Sequence, residues 1–155
     1  MKFSTNEDIA APIDVVFRAL CDFEQFERAA LRRGAEIRRL DSMAALGVGM
    51  RWQANFSLRG KEREVQIELT SFDPPEQLLF DSVSPNMLGH AALELTALSK
   101  DKTRLKVGFE VKPLNLSSKL LVQSLRLAKY TLTKRYKKRV ADYARSLEAR
   151  HRGAT

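Results

Sequence analysis

The sequence predicts an α+β fold in which a curved antiparallel sheet wraps around one long C-terminal α-helix. Three observations carry this. Several consecutive runs between Met50 and Lys112 alternate apolar and polar residues, the period of strands with one buried face, and short turns separate them. From Leu121 to Leu147 the apolar residues step by three or four, the period of a helix stripe. Two short helical patterns precede the strands.

The elements follow in order. Lys2 to Ile9 alternates loosely and is read as a first strand. Ala11-Pro12-Ile13-Asp14 opens a helix, with proline at its first position because the missing N–H would be unpaired there anyway; Val16, Phe17 and Leu20 form its apolar stripe. Asp22 caps a second helix, with Gln25 three residues on. Phe23, Phe26 and Ala30 share one of its faces, and Gly34 closes it. Ala35 to Leu40 is a short strand, and Gly47-Val48-Gly49 a turn or bulge. In Met50–Leu58, Trp52, Ala54, Phe56 and Leu58 point one way. Arg59-Gly60-Lys61 turns the chain into a strand with Val65, Ile67 and Leu69 inward, and Asp73-Pro74-Pro75 breaks it. Gln77–Val83, His90–Leu98 and a last run with Leu105, Val107, Phe109 and Val111 complete a meander. Pro113 ends the strands. Ser117 or Ser118 then caps a helix predicted to run unbroken to Arg150, about 50 Å at 1.5 Å per residue. Its stripe is Leu121, Leu125, Ala128, Leu132, Tyr136, Val140, Tyr143 and Leu147.

The 155 residues suit one domain, predicted over residues 1–150 with a frayed tail at 151–155. No apolar run is long enough to span a membrane as a helix, and the N-terminus lacks a hydrophobic signal core, so a cytoplasmic location is expected. The lone Cys21 fits a reducing compartment and is read as a packed thiol. The net charge of +8 permits an anionic partner without choosing one.

Motifs exclude more chemistry than they support. There is no H-E-x-x-H, no P-loop and no G-x-S-x-G, and one cysteine with two distant histidines, His90 and His151, does not make a metal site. Neither a metal nor a cofactor is expected. Nucleic acid is not expected either, since no basic stretch interleaves aromatics as stacking platforms.

Ile9-Ala10-Ala11-Pro12-Ile13-Asp14-Val15-Val16-Phe17 and Asp22-Phe23-Glu24-Gln25-Phe26 resemble the opening of the START-like helix-grip (SRPBCC) superfamily, which includes polyketide cyclase/dehydrase-like and lipid-transfer proteins. Gly47-Val48-Gly49-Met50-Arg51-Trp52, Asp73-Pro74-Pro75-Glu76-Gln77-Leu78 and the final helix extend the resemblance over nearly the whole chain. These motifs specify a scaffold. The resemblance implies an apolar ligand (lipid, quinone or polyketide-like aromatic) held between sheet and helix. It also implies two alternatives, a cyclase/dehydrase-type enzyme and a protein-interaction domain with a filled core.

The residues alone leave a filled core and a core with a pocket equally open; the resemblance implies the pocket. Its expected lining is Trp52, Phe56, Ile67, Leu69, Leu95, Phe109, Leu121 and Leu125, with Trp52 offering an indole N–H. Arg39 and His90 are the polar candidates, and an enzyme would use them together. Against this, Arg39 sits near a strand end, where exposure is favoured, and His90 has the outward parity unless a bulge at Gly89 reverses it. Asp81 is read as solvated. On the last helix, Leu116, Leu120 and Leu127 fall opposite the core stripe, where packing on the N-terminal helices or a loop is favoured over a portal, dimer or membrane edge. Lys134, Lys137, Lys138 and Arg145 form an outward basic face, read first as solvated, with an anionic membrane or an acidic partner as the alternatives. A monomer or homodimer is expected.

Overall fold

The computed structural model of the chain describes residues 1–153. Its elements are β1 (Lys2–Ile9), α1 (Ile13–Leu20), α2 (Phe23–Arg32), β2 (Glu36–Arg39), β3 (Arg51–Leu58), β4 (Lys61–Asp73), β5 (Gln77–Val83), β6 (Met87–Ser99), β7 (Lys102–Pro113), α3 (Leu116–Leu127) and α4 (Lys129–Gly153). The strands form one seven-stranded antiparallel sheet in the order β1-β7-β6-β5-β4-β3-β2. Register shifts at Leu69/Ser71 and Ala97/Ser99 interrupt its ladders, and such irregularities bend a sheet. The β3–β4 hairpin closes through Arg59 and Gly60, both at positive φ (53° and 75°), as a two-residue primed turn requires.

The helical start and stop signals act close to where the sequence places them. Pro12 occupies the N-cap of α1, one residue earlier than expected, and its carbonyl accepts the Val16 N–H at 3.1 Å. Asp22 caps α2 by accepting from the Gln25 N–H, and Gly34 follows that helix at φ +90°.

The C-terminal segment differs from the single helix expected. Asn115, not Ser117 or Ser118, is its N-cap: the Asn115 side chain accepts from the Ser118 N–H at 3.0 Å, and Ser118 Oγ accepts from the Asn115 N–H at 3.1 Å. Asn115 Nδ2 also donates to Asn86 Oδ1 at 2.7 Å, fastening this end to the β5–β6 loop. The helix then breaks at Ala128, whose N–H turns back to the Leu125 carbonyl three residues earlier. Alanine is the best helix former, so nothing in the residue type announces a break there. At the far end α4 runs through Gly153, and Ala154 and Thr155, in the tail predicted to fray, lie outside the described residues.

The interior has two zones. At one end α1 and the second half of α4 close over Ile9, Val16, Leu69, Leu78, Leu95, Leu105, Ala144 and Leu147, all buried. Thr103 is buried among them, its hydroxyl donating to the Ala11 carbonyl at 2.8 Å. Cys21 joins this zone, where burial pushes its thiol up to about 11, so it is protonated and unreactive at neutral pH. At the other end α2 and α3 stand apart, and the space between them and the sheet is not filled.

A single carboxylate organises the loop between β2 and β3. Asp41, with only 7% of its side chain exposed, accepts from Arg39 Nε (2.9 Å), Arg39 Nη2 (2.8 Å), the Met43 N–H (3.0 Å) and the Arg51 N–H (2.8 Å). The Arg39 hydrogen bonds, followed by that of the Arg51 N–H, hold its carboxyl far below the usual aspartate range. A depressed folded-state value contributes stability above the unfolded-state value and loses it as pH falls toward the folded one. Stability should therefore decline as pH drops below about 4, and Asp41→Asn should make that decline shallower. Urea unfolding across the acid range measures both slopes; identical slopes would refute the assignment.

A candidate ligand cavity between the sheet and the helices

Strand alternation places the cavity floor. Trp52, Ala54, Phe56 and Leu58 of β3 share one face with Arg63, Val65 and Ile67 of β4, and the cross-strand pairs Trp52↔Ile67, Ala54↔Val65 and Phe56↔Arg63 extend it. Phe80 and Ser82 of β5 pair with Ala91 and Gly89 of β6, and Phe109 and Val111 of β7 complete the row. The helices supply the walls: Phe23, Phe26 and Glu27 from α2, and Leu121 and Leu125 from α3. The space is about 850 Å³ and partly open to solvent. That is within the range of small-molecule sites.

Aromatic rings dominate the deep end. Phe23 meets Trp52 edge-on at 5.1 Å and Phe80 edge-on at 6.1 Å, and Trp52 lies 6.1 Å from Phe80. Edge-to-face pairing fixes these rings and leaves faces free to stack on a planar guest. Ser82 keeps the floor low. A Cβ on Gly89 would meet Ser82 Oγ at 2.2 Å, so the hydroxyl occupies the place a side chain would take.

The structure distributes the sequence candidates unevenly. Trp52, Phe56, Ile67, Phe109, Leu121 and Leu125 lie on the cavity wall. Leu69 and Leu95, expected there too, are instead packed in the closed zone, because α1 and α4 cover that end of β4 and β6. Arg39 does not enter: Asp41, two residues on, holds its guanidinium in a bidentate pair at the end of β2. His90 reaches only the rim. No bulge occurs at Gly89, and the β5–β6 register runs unbroken, so His90 keeps its outward parity beside its cross-strand partner Asp81. Its Nδ1 lies 2.7 Å from Asp81 Oδ1, with both side chains about half exposed, so Asp81 is hydrogen-bonded as well as solvated. Arg39 and His90 are thus not brought together. Their strands, β2 and β6, are four spacings apart along the sheet, about 19 Å.

Two inward polar groups escaped the sequence reading although their signals were present. Glu27 is four residues after Phe23 on the apolar face of α2. Arg63 shares parity with Val65 and Ile67, so the alternation extended two residues back would have found it. Burial raises the Glu27 carboxyl above its ordinary value, and Glu24 acts in the same direction. Arg39, Arg28 and a hydrogen bond from the Trp52 indole oppose this. Arg63 is half-buried, its Nε donating to the Leu58 carbonyl at 3.4 Å. Glu27 beside Trp52 and Arg63 beside Phe56 mark positions four residues apart along β3, about 13 Å.

No family model and no curated protein sequence matches the chain. Solved structures do. The chain superposes on a Thermus thermophilus protein with a TM-score of 0.65 at 18% identity, covering 100% of this chain and 99% of the other. A START superfamily protein from Mycobacterium smegmatis gives 0.58 at 14% identity, covering 86% and 95%. The fold is the START-like helix grip. The Zhui aromatase/cyclase of a Streptomyces species shares it too, with a TM-score of 0.59 at 14% identity over 74% of this chain and 69% of that one. Across identities this low the helix grip persists as backbone, so cavity chemistry must be argued from this chain's own side chains. Among the described residues no group of three or more His, Cys, Asp or Glu converges as a metal site requires, and no helix is long and apolar enough to cross a membrane.

Proposed function

We propose that this protein binds and carries an apolar, ring-bearing small molecule in the cavity beneath α3, as a cytoplasmic monomer or homodimer. The observation that carries the reading is the unfilled space of about 850 Å³ walled by Phe23, Phe26, Trp52, Phe56, Phe80 and Phe109. Apolar burial at roughly 25 cal/mol per Å² supplies the affinity, and the few polar groups set orientation. The Glu27 carboxylate favours a guest whose buried end donates a hydrogen bond, such as a phenol, and the Trp52 N–H, a donor only, suits a lone pair on the same guest oxygen. Arg63, opposite Phe56 and away from Trp52 along β3, favours an acceptor at the other end. The unfilled space argues against a domain that works through a solid core and its surface alone.

Native mass spectrometry of the purified protein, with thermal-shift titration of a polycyclic phenol, a quinone and a fatty acid, tests the reading. The expected result is stabilisation by the ring compounds, because only a guest of the native state raises the melting temperature. No bound guest and no shift with any of the three would overturn it. Glu27→Gln is expected to weaken the phenol by roughly tenfold, since a hydrogen bond to a charged group contributes about 1.5–3 kcal/mol, while leaving the fatty acid unaffected.

The enzymatic reading now rests on Glu27 alone, a carboxyl with raised proton affinity facing the aromatic wall. Turnover of a β-keto aromatic probe that Glu27→Gln abolishes without loss of binding would establish it.

A further inference from the structure

The outer side of α3 carries side chains that the fold does not use. At 100° per residue, Ser118, Leu121, Val122 and Leu125 face the sheet, and Leu116, Leu120 and Leu127 form a ridge on the opposite side. By its sequence this ridge is expected to pack on the N-terminal helices or a loop. It does not: Leu116 is 72% exposed, Leu120 57% and Leu127 91%. Leu114 (51%) precedes the ridge and Tyr130 (74%) follows it.

Charge is the second observation. From Val111 to Ala141 the chain contains no aspartate or glutamate, yet it holds Lys112, Lys119, Arg126, Lys129, Lys134, Arg135, Lys137, Lys138 and Arg139. Lys119 and Arg126 lie along one side of the leucine ridge on α3, and Lys129 follows it directly, all three exposed. Protruding leucines beside cations, with no acid in 31 residues, match an interface between hydrocarbon and anionic headgroups. An acidic protein would satisfy the cations but not so exposed a leucine ridge, and a second copy would bring its own cations against these.

We propose that the outer edge of α3 docks on an anionic lipid bilayer, inserting Leu116, Leu120 and Leu127 while Lys119, Arg126 and Lys129 pair with headgroups. This deepens the carrier reading, because the inner side of the same helix lines the cavity through Leu121 and Leu125. Docking places the cavity roof at the surface from which an apolar guest enters or leaves.

Co-sedimentation of the full chain with vesicles tests the proposal. Binding is expected to phosphatidylcholine vesicles containing phosphatidylserine, and not to phosphatidylcholine alone. Lys119→Gln, Arg126→Gln and Lys129→Gln together should weaken it roughly a hundredfold, about fivefold per charge. Leu116→Ser, Leu120→Ser and Leu127→Ser together should weaken it roughly tenfold or more while changing the melting temperature little, since these side chains are mostly exposed. No sedimentation, equal binding to neutral vesicles, or unaltered binding by the serine variant would overturn the proposal. So would a solution dimer that the serine variant dissociates without any vesicle binding. The cavity is read separately, by the fluorescence of anilinonaphthalene sulfonate without vesicles. The serine variant should leave that signal intact, so failure at the membrane and failure of the cavity are distinguishable.

Discussion

Leu78→Ala should cost the fold about 3–5 kcal/mol, whereas Phe109→Ala, although it removes a larger side chain, should cost less than about 2 kcal/mol. The inversion follows from the two zones of the interior. Leu78 is fully buried in the closed zone, where truncation removes apolar contacts and leaves a void that packed neighbours cannot fill. Phe109 stands on the cavity wall and is 39% exposed, so its truncation enlarges a space that already exists. Urea unfolding of the two variants at constant slope measures both costs. Equal costs would mean that the cavity end is as tightly packed as the other.

Filling the cavity should separate binding from stability. Ala91 lies on the floor between Phe80 and Phe109, its cross-strand partners in β5 and β7. Ala91→Phe adds a ring where there is room for one. The melting temperature should stay level or rise, and affinity for a ring-bearing guest should fall by a factor of roughly a hundred, because the buried area that drives binding is occupied. A loss of stability would show that the space cannot accept a ring. Unchanged affinity would place the guest elsewhere.

The fold was legible in the sequence because each local signal agreed with its neighbours. Alternation set the inward face of β3 from Trp52 to Leu58, and the register between β3 and β4 preserves it. Pro12, Asp22, Gly34 and Pro113 punctuate the chain close to where their chemistry predicts. The site was less legible. Alternation reports which face a residue occupies, not how far along the sheet the helices close over it, so Leu69 and Leu95 read the same as Ile67. Arg39 looked available because its partner Asp41 lies past the end of the strand. Glu27 went unnoticed because a charged residue on an apolar helix face is easily taken for its edge. The break at Ala128 has no residue-level signal at all.

The placement of β1 has a consequence for biosynthesis. Among the described residues its only neighbour in the sheet is β7, with Lys2 opposite Glu110 and Ile9 opposite Thr103. β1 must therefore wait, unpaired, until some hundred residues have followed it, while the hairpins from β3 to β7 can zip in order behind it. α4, which also packs on β1, is made later still. Closure of the closed zone is thus expected to be the last and slowest event of folding, and the nascent chain's exposed strand is where a chaperone would find it.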